Sequence, residues 1–67
     1  MKKHEVVGEG DAIDLAQGFA GVDNRECPNL TVRAQIDKEG YLTAWIVELT
    51  SEIKIYVGLD GECSFVD

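Results

Sequence analysis

The chain has 67 residues, with 13 Asp and Glu against 6 Lys and Arg for a formal net charge of -7, and 45% of its side chains are hydrophobic. That length holds one domain, residues 1–67, with the apolar content of a folding chain rather than a disordered tail. A membrane helix is excluded because no run of about 18 apolar residues exists, and the scattered bases Lys2, Lys3, Arg25, Arg33, Lys38 and Lys54 speak against direct binding to nucleic acid or an anionic membrane.

Residues 4–7 read as a short N-terminal edge strand, ended by Gly8 and Gly10. Asp11 then reads as a helix N-cap with Asp14 three residues on, in a weak capping-box arrangement. Ala12, Leu15, Ala16 and Phe19 fall on one face of a short helix, and Gly21 suits the left-handed residue that ends it. Residues 22–29, with Asp23, Asn24 and Pro28, read as a loop.

From Leu30 the period changes to two. Leu30, Val32, Ala34 and Ile36 alternate with Thr31, Arg33, Gln35 and Asp37, the pattern of a half-buried strand. Asp37-Lys38-Glu39-Gly40 fits a type I turn followed by a glycine bulge. A second strand follows over 41–49, a tight link at Thr50-Ser51, a third strand over 52–57, a second glycine turn over 58–61 and a short last strand over 62–66. The fold class is therefore α+β: one short helix packed on one face of a three- or four-stranded antiparallel meander.

Turn geometry predicts the register. Asp37 opposite Tyr41 places Ile36 against Leu42, Ala34 against Ala44, Val32 against Ile46 and Arg33 against Trp45. Leu49 opposite Glu52 places Ile46 against Ile55, Ala44 against Val57 and Trp45 against Tyr56. The last hairpin sets Val57 against Cys63 and Ile55 against Phe65. On this reading the aliphatic residues gather under Leu15 and Phe19 of the helix. Arg33, Tyr41, Trp45, Val47 and Tyr56 are left on a bare face, where exposed aromatics suit an interface. Arg33 over Trp45 adds an expected cation–π contact. The plainer alternative is that Trp45 and Tyr56 only stabilise the sheet as a cross-strand pair, or that the N-terminal segment folds over them.

The chemistry of catalysis is thin. His4 is the single histidine, Gly8-Glu9-Gly10 lacks the rest of a phosphate loop, and neither a Gly-x-Ser-x-Gly nor a calcium-loop spacing occurs. No metal and no cofactor is expected, since a zinc site lacks soft ligands at usable spacing. Cys27 and Cys63 are expected as reduced thiols of a cytoplasmic protein, because Lys2 and Lys3 are not followed by the apolar stretch of a secretory leader.

The acids are unevenly spread. Residues 5–26 hold six acids and one base, while residues 27–67 hold seven acids and three bases over nearly twice the length. Glu9, Asp11, Asp14, Asp23 and Glu26 are thus the candidate contacts for a protein partner with a basic surface, with Arg33, Tyr41, Trp45 and Tyr56 as the second candidate patch. Spaced carboxylates stand in for backbone phosphates. Small phage-type inhibitors of host nucleases and CRISPR complexes share this size and charge, an analogy of class rather than of sequence. A non-enzymatic inhibitor of that class, acting in the host cytoplasm, is the leading expectation. A homo-oligomer, such as a homodimer, or an accessory subunit joined through the Trp45/Tyr56 face or an exposed strand edge is the alternative.

Overall fold

The computed structural model describes residues 7–66. Helix α1 (Glu9–Ala20) is followed by a 3₁₀ turn (Asn24–Glu26) and four strands, β1 (Thr31–Ile36), β2 (Leu42–Thr50), β3 (Ile53–Gly58) and β4 (Cys63–Phe65). The strands form one antiparallel sheet in the order β1-β2-β3-β4. The helix packs on one face of it, against β2, β3 and β4. This is the α+β meander that the change of period at Leu30 predicts. The strand expected at 4–7 lies almost wholly outside the described residues; Val7 itself is not in a strand, and its N–H donates to Leu59 O at 3.3 Å.

The helix starts earlier than expected. Gly8, not Asp11, is the N-cap, with extended φ and ψ of -85° and 175°, and its carbonyl accepts from Ala12 N–H at 2.9 Å. Glu9 and Asp11 then sit in the first turn, where the exposed N–H groups favour negative charge. Gly21 ends the helix as expected: at φ 74° it takes a conformation other residues resist, and its N–H and that of Val22 both donate to Gln17 O.

The buried helix face also differs. Ala12 and Ala16 are fully buried, while Leu15 and Phe19 remain about two-fifths exposed, at 38% and 45%. The cause lies in the sheet. Val47, Ile55 and Val57 fill the space beneath the helix, so only methyl groups fit at the contact. The larger Leu15 and Phe19 are turned towards the rim, where Phe19 meets Phe65 with ring centroids 5.0 Å apart. Cys27 and Leu49 complete the buried cluster, with Ile13, Val22, Val32, Trp45 and Cys63 around it.

The register departs from the expected one in both long hairpins. The first turn is as predicted: Asp37 N–H donates to Tyr41 O at 3.0 Å, Ile36 faces Leu42, and Gly40 adopts φ 91°. An irregularity then follows, because Gln35 faces Ala44 and Thr43 is the extra residue on β2. Its hydroxyl donates to Gln35 O at 3.0 Å. Beyond it Ala34 faces Trp45, Arg33 faces Ile46 and Val32 faces Val47. In the second hairpin Thr50 faces Ile53 and Glu48 faces Lys54, so Leu49 is extra. The turn there is Ser51-Glu52 rather than Thr50-Ser51. Thr50 Oγ1 accepts from the N–H groups of Glu52 and Ile53. Trp45 then faces Val57, Val47 faces Ile55 and Ile46 faces Tyr56. The last hairpin keeps its predicted pairs, Val57 with Cys63 and Ile55 with Phe65.

Each one-residue offset turns the strand over. Trp45 and Val47 therefore face the helix, and Ile46 moves to the bare side. Ala34 and Ile36, expected in the core, are exposed on β1. Trp45 is anchored beneath the N-terminal end of the fold, its Nε1–H donating to Val7 O at 2.8 Å.

Candidate functional site

Two surfaces carry the residues singled out in the sequence. The first is the helix layer. Glu9, Asp11 and Asp14 are all exposed on α1, and the helix contains no base. Asp11 and Asp14, three residues apart, share its solvent side. None of the three hydrogen-bonds to another described residue.

Asp23 and Glu26 are not part of that cluster. They follow the far end of a 12-residue helix, about 18 Å from its start. There they form a reciprocal capping box on the 3₁₀ turn: Asp23 Oδ1 accepts from Arg25 N–H and Glu26 Oε1 accepts from Asp23 N–H, both at 3.0 Å. Gln17 Nε2 donates to Asn24 Oδ1 at 3.2 Å and ties the turn to the helix end. The segment read as plain loop thus contains structure, and the Asp23-x-x-Glu26 spacing was its signal. Asp37 and Asp60 have similar work. Asp37 Oδ1 accepts from Glu39 and Tyr41 N–H, and Asp60 Oδ1 from Glu62 N–H.

The second surface is the bare sheet face. Arg33, Ile46, Tyr56 and Ser64 line one row across all four strands. Thr31, Glu48 and Lys54 line the next, with Glu48 directly opposite Lys54. Such an opposite-charge pair stabilises a sheet by about 0.2–1 kcal/mol. Tyr41, 70% exposed, stands at the start of the hairpin. Trp45 does not join Tyr56 here. It lies on the other side of the sheet, which removes the composite Trp45/Tyr56 face and the contact with Arg33. Ile46 takes its place between Arg33 and Tyr56, a position the expected register had sent to the core.

The concavities are modest. A hollow of about 100 Å³ lies among Thr31, Arg33, Ile46, Glu48 and Lys54. That is below the roughly 300–1,000 Å³ of small-molecule sites. A wider, open depression of about 430 Å³ runs between the 26–29 segment and the end of β2. Two of its polar groups, Glu26 and Thr50, are already committed to backbone N–H groups. Among the described residues no group of three or more His, Cys, Asp or Glu is placed to hold a metal ion, and no helix is long and apolar enough to cross a membrane.

The two thiols are free. Cys27 is buried in the core, whereas Cys63 is half-buried, and burial pushes its thiol above the ordinary range.

The layers therefore differ in charge. The helix presents carboxylates alone, while the bare face mixes Arg33 and Lys54 with Glu48. No family model matches the chain, and no curated protein or solved structure matches it.

Proposed function

We propose that the chain is a non-enzymatic protein-binding module whose acidic helix layer meets a basic surface on a cytoplasmic partner. The observation behind this reading is the segregation of charge. Glu9, Asp11 and Asp14 are exposed on one helix without a base among them, whereas Asp23, Glu26, Asp37 and Asp60 hold backbone amides. Carboxylates without a hydrogen-bond partner among the described residues are available to an external cation, and clustered ones raise the rate of encounter with it. A basic groove built for nucleic acid is the natural counterpart, so the module competes with nucleic acid for its partner. An inhibitor of the phage type, directed at a nuclease or CRISPR complex, is the most specific form of the proposal.

The test is a pull-down from a cell lysate with the full chain and with a Glu9→Gln, Asp11→Asn, Asp14→Asn variant, at low and high salt, with added oligonucleotide as competitor. The proposal expects nucleic-acid-binding proteins to be retained at low salt by the wild type, released by salt and by oligonucleotide, and lost from the variant. Retention that the three substitutions leave unchanged sinks it.

The alternative of assembly through a joint Trp45/Tyr56 face has no surface to act through, since the two rings lie on opposite sides of the sheet.

A further inference from the structure

The two edges of the sheet are unequal. β4 has three residues, and its Phe65 is engaged by Phe19 of the helix. β1 has six residues, and among the described residues nothing pairs with its outer edge. Among the described residues the helix rests mainly on β2, β3 and β4 rather than on β1. Ile36 is 56% exposed there, and Ala34 is exposed beside it. Natural edges are blunted by proline, by lysine or by a bulge that twists them away. β1, Thr31-Val32-Arg33-Ala34-Gln35-Ile36, has neither proline nor lysine, and the irregularity of its hairpin sits in β2.

The direction of the backbone groups follows from the turn. Asp37 N–H points to β2, where it meets Tyr41 O, and Gln35 O also points to β2, where it meets Thr43 Oγ1. Groups alternate along a strand. Val32, Ala34 and Ile36 therefore direct their N–H and C=O outward.

We infer that β1 is a self-pairing edge: two copies of the chain join antiparallel through it, about a two-fold axis at Ala34, into one continuous eight-stranded sheet. In this register outward-directed residues face each other around Ala34, with the same face of both sheets on the same side. Ala34 faces Ala34 of the second copy, and Val32 faces its Ile36. The three pairs so formed exchange about six hydrogen bonds. The aliphatic row covers the exposed Ile36 on the helix side. On the bare side Arg33 faces Gln35 of the second copy, and the diagonal neighbours of each Arg33 are the other copy's Asp37 and Arg33. Two arginines and two aspartates leave the seam neutral. No like charges stand directly opposite. An unrelated acidic or basic strand has no such match on both faces, so the occupant is a second copy.

The chains still repel as bodies, at -7 each. Dimerisation therefore strengthens as salt screens that repulsion, opposite in sign to the salt dependence of the acidic helix layer.

The experiment is sedimentation equilibrium on the full chain over a range of concentrations at low and high salt. The expected result is a reversible monomer–dimer equilibrium, shifted to dimer by salt. Ala34→Pro removes the two central N–H donors without touching the bonds to β2, because that N–H points outward. Ala34→Lys places two like charges at the axis. Both should abolish the dimer while circular dichroism reports the native fold, and Ala34→Lys carries the test if the proline variant does not fold. Glu9→Gln, Asp11→Asn, Asp14→Asn should leave the dimer intact, which separates this inference from the proposed partner surface. A wild type that stays monomeric at every concentration and salt, or a dimer that survives both Ala34 substitutions, overturns the inference.

Discussion

Trp45 and Val7, 38 residues apart, are joined by an indole N–H···O=C bond of 2.8 Å. The bond fastens the chain just ahead of the helix to the centre of the sheet. It also explains why an aromatic residue with a polar edge occupies this position: the ring packs beside the core while its N–H meets a carbonyl that no helix turn satisfies. Trp45→Phe keeps most of the ring and loses the bond, leaving the Val7 carbonyl half-desolvated. The expected cost is about 1–3 kcal/mol in urea unfolding followed by circular dichroism, with earlier hydrogen exchange at the amides of the first helical turn.

Neighbours in sequence should behave oppositely in the strands. Ile55 is fully buried and Tyr56 is 36% exposed, because alternate residues point to opposite faces. Ile55→Ala is expected to cost about 2–5 kcal/mol through lost burial and the cavity left behind. Tyr56→Ala, on the bare face, should cost about 1 kcal/mol or less, the worth of its cross-strand contacts. Chemical denaturation of both variants checks the pair together.

The first hairpin turn concentrates two separate devices. Gly40 at φ 91° occupies a region that an L side chain enters at about 1–2 kcal/mol. Asp37 Oδ1 accepts two backbone N–H groups. Gly40→Ala should therefore lower stability by about 1–2 kcal/mol, and Asp37→Ala by about 0.5–1.5 kcal/mol through the loss of its bonds to two exposed amides, which water then solvates. Thermal melts should show both effects, with the fold unchanged.

The cysteines report on burial and pH. Cys27 should resist alkylation until the chain unfolds, while Cys63 reacts in the native state, more slowly than in denaturant. Burial favours the neutral thiol of Cys63, so the folded chain holds that proton more tightly than the unfolded one. Its contribution to stability is full below about pH 9 and declines as pH rises through the raised native value. Cys63→Ser should flatten that alkaline decline, measured as urea midpoints across pH.

The helix, the two glycine turns and the meander were legible because each rests on local chemistry: a change of period at Leu30, and glycines at Gly21, Gly40 and Gly61 where the chain turns. The face of β2 was harder, since both of its alternating sets are apolar. Leu42, Ala44 and Ile46 compete with Trp45, Val47 and Leu49. One signal could have decided it. The first set continues to Glu48, and an inward register would have buried that carboxylate under the helix without a partner, a cost of several kcal/mol. The extra residues at Thr43 and Leu49 resolve the conflict by turning Glu48 outward to face Lys54. Of the candidate site, the exposure of Asp11 and Asp14 followed from their place at the start of a short amphipathic helix, whereas Glu9 joins them only because that helix begins after Gly8 rather than after Asp11. Asp23 and Glu26, counted with them by charge alone, stand at the other end of the helix and each accept a backbone N–H, which charge totals do not register.

The most direct test of the account as a whole is amide chemical-shift mapping of the labelled chain titrated with an arginine-rich peptide taken from a nucleic-acid-binding protein. The shifts should cluster on residues 9–14 of the helix and disappear at high salt. Shifts centred on Arg33, Ile46 and Tyr56, or spread evenly over every acidic residue, would contradict it.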